Sequence, residues 1–494
     1  MSGGAEQGSR VLSRYVFAGA ERSPDKLAIA CNGRRLSYSE LARAIEAMIQ
    51  ALEAHIAPGP GYAVVAIAGL LDFWVISLAL RELGLTTVPT MSAENVAGLQ
   101  LSQLRMVVAD PEPAWPGLGP VCQRLGRPLL RVQWNGALAR PIEAGRQRTS
   151  DVGGHVLQTS ATTGLYKKVL MAPSFEQAFM ELRRAQDNVA ADTKCALFNF
   201  GGWTGAGYKT TGGIWLAGGA VILEQRSELH LCLAEPGLTH AVVLPDQLHQ
   251  VLAAPPGAIR RQPELRLDIG GATPRQAQVD LVRDRLTAEI ISSLGCTEAH
   301  TFAETRLETP EDRRWHRLLP HRDPQVVDDD DRPAPMGVVG RLRVSTRQGP
   351  TSYLEDPDAT AAFFKDGWFY PGDLAVMRAD GRLALMGRTT DVINIMGQKV
   401  SPAPYEDELC ERLGVSGACL FSRQNADADE EIHVVLETPE PLQIDRLTAV
   451  LRETLAGFPA AEVHYVRSLP RNLNGKLLRS ETQRRLVGAA AGQA

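Results

Sequence analysis

The 494-residue sequence has few cysteines and no pairing pattern among them. Its seven are Cys31, Cys122, Cys195, Cys232, Cys296, Cys410 and Cys419, and no two form a C-x-x-C pair. An odd count in a chain of this length argues against a disulfide framework and reads as reduced thiols of a cytosolic protein. No base is visibly paired with any of them, which argues against a nucleophilic thiol. Excess charge of one sign is also missing: 52 Lys and Arg stand against 57 Asp and Glu, a net charge of −5. That excludes a whole-chain pull toward nucleic acid or anionic lipid, so an anionic ligand must be held by a local site. There is no internal repeat. At 44% hydrophobic and 22% charged residues the chain is not disordered, collagenous or a coiled coil. Met1–Ser9 is polar and Gly-rich, so no signal peptide is expected. Residues 62–80 are nearly long enough to span a bilayer, but Asp72 sits mid-run, Gly69 interrupts it and Arg81-Glu82 closes it. That run is expected to be a buried strand over 62–68 followed by a core helix over 71–84, with no membrane span.

What is present is an α/β pattern. Length alone predicts about three compact units. Short apolar runs at 63–68, 105–108, 220–223, 241–244 and 289–292 alternate with helical patterns at 39–54, 175–190, 246–254 and 274–286. Ser37-Tyr-Ser-Glu40 is a capping-box signature. After about residue 320 the pattern shifts to short antiparallel strands at 337–340, 341–344 and 383–385, and the acidic run Asp328–Asp331 reads as a solvated hairpin loop. From about 391 a small α/β module follows, with helices near 405–413 and 442–454 and strands at 432–436 and 461–466. The tail from Val487 is expected to fray.

Four local motifs carry candidate chemistry. Thr159-Ser-Ala-Thr-Thr-Gly-Leu-Tyr-Lys-Lys168 packs hydroxyls, a Gly and two Lys into one loop, which fits either a polar turn or a polyphosphate cradle; it is not a Walker A loop. Asp268-Ile-Gly-Gly-Ala272 lets backbone approach a planar ligand, and Ser292-Ser-Leu-Gly-Cys-Thr-Glu298 places one carboxylate after a Gly, as a Mg²⁺ ligand beside phosphate often stands. Both also fit plain strand-to-helix turns. Asp366-Gly-Trp-Phe-Tyr-Pro-Gly-Asp373 and Gly387-Arg388 offer an Asp for two ribose hydroxyls and a nearby Arg. Asn474-Gly-Lys476 offers a Lys on a Gly hinge, or ordinary solvent exposure.

The order of these motifs resembles the adenylate-forming (ANL) superfamily of acyl- and aryl-CoA synthetases, peptide-synthetase adenylation domains and luciferases, over nearly the whole chain. Leu36-Ser-Tyr-Ser-Glu-Leu41, Gly84-Leu-Thr-Thr-Val-Pro89 and Pro470–Arg479 are similar to further family motifs. The resemblance implies a large N-terminal domain, 1–388, of layered α/β subdomains with a small β-barrel-like subdomain. It also implies a small mobile α+β C-terminal domain, 391–494, turning about a hinge at Thr390 and Asp391. It implies activation of a carboxylic acid by ATP and Mg²⁺ through an acyl-adenylate, then transfer to coenzyme A. Carried over by position, Thr159, Ser160, Thr162, Thr163, Gly164 and Lys167 would hold phosphate, and Gly270, Gly271 and Ala272 would line adenine. Thr297 would reach phosphate, Glu298 Mg²⁺, and Asp373 ribose with Arg388 close by. Lys476 would bridge the acid and the α-phosphate. Gly397 and Gln398 would line the pantetheine tunnel. Phe198, Asn199, Trp203, Gly207, Gly271, Leu294, His300 and Phe302 would build the acyl pocket.

The sequence departs from the family pattern at Ala161, Tyr166 and Lys168 in the phosphate loop and at Thr390 in the hinge. Leu294-Gly-Cys-Thr-Glu-Ala-His300 is similar to benzoate-type aryl-CoA ligases, so an aryl or medium acyl acid is expected and an α-amino acid is not. Two alternatives stand beside coenzyme A ligation. One is transfer to an amine or to the pantetheine of a separate carrier protein. The other is a non-catalytic nucleotide-binding paralogue. A cytoplasmic enzyme of secondary metabolism, without a nucleic-acid partner, completes the expectation.

Overall fold

The computed structural model describes residues 12–90, 92–139, 152–159, 166–198, 200–225, 228–255, 257–347, 349–395, 398–424, 430–471 and 477–491. Two sheets organise the N-terminal part. The first runs Leu129–Arg131, Leu104–Ala109, Tyr62–Ala66, Thr86–Pro89, His155–Thr159, Lys167–Met171, parallel except for the last, antiparallel pair. The second begins Arg34–Ser37, Leu27–Cys31, Ala220–Glu224, Lys194–Phe198, His240–Val243, Arg266–Ile269, Ile290–Cys296 and is parallel after its first pair. It then continues through antiparallel strands that include His300–Arg306, Arg382–Arg388, Asp373–Met377 and Gly340–Ser345. The apolar runs become strands because parallel strands covered on both faces must be apolar throughout.

Helices buried on nearly every side fill the space between the sheets. Leu70–Glu82 is buried at every position except Asp72. Gly205–Ala217 is buried from Gly207 to Trp215. Trp74 and Trp215 meet edge to face at 5.2 Å, an arrangement aromatic pairs favour. Among the described residues no helix is long and apolar enough to cross a membrane. Ser37 caps the helix Tyr38–Glu53 with the full capping box. One ion pair inside this layer joins Arg81 and Glu176, both buried, at 3.0 Å.

The C-terminal module is a sheet of Gly417–Gln424, Glu430–Glu437 and Ala461–Val466. Helices Ala403–Leu413 and Ile444–Thr454 share one apolar cluster with it. One expectation is corrected. Residues 337–339 form a turn, not a strand: Gly337 has φ +82°, its N–H donates to Met377, and Val338 and Val339 are exposed. The helix Arg479–Ala491 includes the first part of the tail, and residues 492–494 lie outside the described residues.

Candidate active site

The strands deliver the motifs to one cleft of 2280 Å³, larger than a single ligand needs and lined by both the N-terminal part and the C-terminal module. Thr159 ends one strand, and Lys167, opposite it in register, begins the next. Strand alternation separates the two lysines. The Lys167 ammonium lies over the Phe363 ring at 3.2 Å, and burial lowers its pKa against the pull of Glu298. Lys168 points the other way and donates to the Leu99 carbonyl at 2.5 Å, so this departure from the family pattern serves packing. Ser160, Thr162, Thr163 and Gly164, with Ala161, lie outside the described residues.

Thr297 and Glu298 occupy the turn between Ile290–Cys296 and His300–Arg306. Glu298 is buried, and its Oε1 accepts the Tyr353 hydroxyl at 2.7 Å. This is its one hydrogen bond among the described residues, so Oε2 remains for a cation; a buried carboxylate facing Lys167 fits Mg²⁺ beside phosphate. Cys296, two residues before it, is pushed up to about 12 by burial, so it stays a thiol and is no nucleophile. Gly270, Gly271 and Ala272 line the cleft after the strand Arg266–Ile269. Gly271 has φ +82°, and a Cβ there would stand 2.7 Å from Leu244 Cδ2. Asp373 and Arg388 face each other across an antiparallel pair and form a 3.0 Å ion pair at the cleft edge. One carboxylate and one guanidinium are thus held together where ribose and phosphate oxygens could exchange for them.

Thr390, exposed, and Asp391, half-buried, form a turn in which the Thr390 hydroxyl donates to Asp391 at 3.2 Å. Beyond it, Ile393–Ile395 pairs with Gln398–Val400. Gly397 and Lys476 lie outside the described residues, and Lys476 is flanked by Arg471 and Leu477, which are bridged. The module rests on the N-terminal part through an Arg313–Glu411 ion pair of 2.8 Å, a Ser401-to-Met386 carbonyl bond and an Arg275-to-Ser416 carbonyl bond.

Of the residues expected to build an acyl pocket, Trp203, Leu294, His300 and Phe302 line the cleft. Two of the residues expected there stand off the wall. Phe198 packs in a core cluster with Ala196 and Ile222, because its strand position points away from the cleft. Gly207 is the packing point of a helix start: a Cβ would lie 2.2 Å from the Gly201 carbonyl, and its N–H caps on Thr204 at 2.9 Å. Asn199 lies outside the described residues. Cleft residues that escaped the sequence reading include Tyr353, Arg322, Lys209, Phe179 and Arg183. Lys209 alone left a trace, as the one charge in the otherwise uncharged, Gly-rich helix Gly205–Ala217.

The model of the AMP-binding enzyme family matches residues 155–354. The fatty acid–[acyl-carrier-protein] ligase ScoC of Streptomyces coeruleorubidus is 25% identical over 96% of both chains. The 4-chlorobenzoate–CoA ligase of an Arthrobacter species is 27% identical over 98% of this chain and 96% of its own. The crystal structure of ATP-bound MatB from Rhodopseudomonas palustris matches with a TM-score of 0.81 at 19% identity, covering 96% of this chain and 98% of that one.

Proposed function

Because the chain belongs to the adenylate-forming superfamily of AMP-forming acid ligases, we propose that it joins a carboxylic acid to coenzyme A through an acyl-adenylate. The observation that carries this reading is the convergence of Lys167, Glu298, Gly270–Ala272 and the Asp373–Arg388 pair on one cleft between the N-terminal part and the C-terminal module. We assign the N-terminal domain to 1–388 and a mobile C-terminal domain to 391–494, turning at Thr390–Asp391.

The chemistry explains why cations gather there. Attack of a carboxylate on the α-phosphorus of ATP brings two anions together, and preorganised positive charge lowers that barrier. Lys167 and the hydroxyls of Thr159 and Thr297 hold phosphate in this reading, and Glu298 holds Mg²⁺, which supplies further charge neutralisation there. Gly270 and Gly271 admit the adenine face, and Asp373 accepts the ribose hydroxyls after releasing Arg388. Lys476 meets the reacting carboxylate and the α-phosphate. In the second half-reaction the hairpin of Ile393–Ile395 and Gln398–Val400 lines the path of the thiol. We place the enzyme in the cytoplasm, where ATP and coenzyme A are supplied.

The near full-length similarity to ScoC favours a second acceptor, the pantetheine of a separate carrier protein. Pyrophosphate release over a panel of acids, with and without coenzyme A, tests both readings. Pyrophosphate together with an acyl-CoA product is expected; pyrophosphate without it selects the carrier, and none with any acid overturns acid activation. Lys476→Ala should lower adenylate formation by about 10²–10³-fold, and a rate near that of the parent removes its assignment.

A further inference from the structure

Lys209 lies on the second turn of the helix Gly205–Ala217 and is 6% exposed. Its Nζ donates to the Thr297 carbonyl at 2.7 Å and stands 5.1 Å from the centre of the Phe179 ring. An ammonium has three donors. Among the described residues this one carbonyl is the sole hydrogen-bond acceptor it meets, and it has no carboxylate in ion-pair reach. The carboxylate whose field it feels, Glu298, already holds the Tyr353 hydroxyl.

His300 stands on the same wall with its ring against Phe179. It is 7% exposed, and its Nε2 is buried without a hydrogen-bond partner. Arg322, 4% exposed, lines the same cleft. Arg183 also lines it, but Asp187 matches its charge at 2.6 Å. Burial brings Lys209 down to about 7. Lys209, with one acceptor for its three donors, and His300 Nε2, with no partner, are costly to cover with hydrocarbon, because their desolvation is not fully repaid.

We infer that this wall is a subsite for a second carboxylate, and that the acid activated here is a short dicarboxylic acid whose far carboxylate docks on Lys209 and His300. The inference rests on the acid-activating reading above and names the substrate class it leaves open. The far carboxylate takes the two unused donors of Lys209 and gives His300 Nε2 its partner. The length is limited by Gly205. A Cβ there would stand 3.1 Å from the Thr297 hydroxyl and 3.7 Å from Lys209 Nζ, so only the missing side chain keeps open the short span between the phosphate side and the subsite. A few methylenes bridge such a span; a long chain does not fit between its ends.

Matched acids of equal length decide it. Glutarate and adipate are compared with pentanoate and hexanoate in two measurements: calorimetric binding to the full-length protein with Mg²⁺ and a non-hydrolysable ATP analogue, and pyrophosphate release with ATP. The dicarboxylates should bind about 10²-fold tighter than their monocarboxylate partners, as expected for a buried charge-assisted pair, and should show the higher kcat/KM. Lys209→Met should abolish the preference, and Lys209→Arg should keep part of it. If Lys209→Met does not fold, the comparison within the parent protein still decides. Monocarboxylates that bind and react as well as the dicarboxylates overturn the subsite while leaving acid activation intact. Tight dicarboxylate binding without pyrophosphate from any acid supports the subsite and overturns the acid-activating reading instead.

Discussion

Tyr208 and Lys209 are consecutive residues of one helix, yet they enter two oppositely wired clusters. Tyr208 turns to Arg81 and Glu176. Arg81 donates to Glu176 at 3.0 and 3.1 Å, to the Tyr208 hydroxyl at 2.6 Å and to the Gly153 carbonyl at 2.7 Å, and Glu176 also accepts the Leu12 N–H at 3.0 Å. Tyr208 in turn donates to Glu176. Charges and donors are matched there, and the cluster ties four helices together. Lys209, about a hundred degrees round the helix, has one carbonyl and an aromatic face. Both clusters are buried. The paired one holds the helix layer between the sheets in place, and the unpaired one faces a cleft and waits for a ligand.

Removing one partner from each should move stability in opposite directions. Glu176→Ala leaves Arg81 buried and unmatched and should cost about 3–5 kcal/mol, read as a fall in the urea midpoint. Lys209→Met removes a buried ammonium without orphaning a carboxylate and should raise the stability of the ligand-free protein by about 1–4 kcal/mol at pH 7. A loss there comparable to that of Glu176→Ala would make Lys209 a structural residue and erase the contrast. The pH dependence sharpens it further. Lys209 titrates at about 7 when folded against 10.5 ordinarily, so between those values the unfolded chain binds a proton the folded chain does not. Stability should therefore gain from Lys209 as pH rises through that window, by at most about 1.4 kcal/mol per unit, and Lys209→Met should flatten that limb.

The contrast also marks where sequence reading stops. Local patterns were legible. Ser37 and Glu40 cap their helix as written, and the strand expected over 461–466 spans Ala461–Val466, because caps and apolar runs depend on neighbours in the chain. The Gly-rich and hydroxyl-rich motifs are read in the same way, and the cleft receives Lys167, Glu298, Gly271 and Asp373. What failed depended on direction in space. Phe198 belongs to the same stretch as Trp203, but its strand turns it into the core. Lys209 gains its character from Thr297, 88 residues away, and from a ring on another helix, and no local pattern records either contact.

Glu298 is intermediate between the two clusters. Its carboxylate is buried like Glu176 but carries only the Tyr353 hydroxyl among the described residues, at 2.7 Å. The same ring stands 5.4 Å from Lys167 Nζ, so Tyr353 positions the carboxylate toward the phosphate side. Tyr353→Phe keeps the ring and removes only the donor. Stability should fall by about 1.5–3 kcal/mol, the worth of one hydrogen bond to a charged group. If Glu298 holds Mg²⁺, the metal concentration giving half-maximal pyrophosphate release should also rise about tenfold, because an unanchored ligand binds metal less well. A fall in stability with no change in metal requirement would assign the Tyr353–Glu298 pair to the fold, alongside Arg81 and Glu176, and would move the metal elsewhere in the cleft.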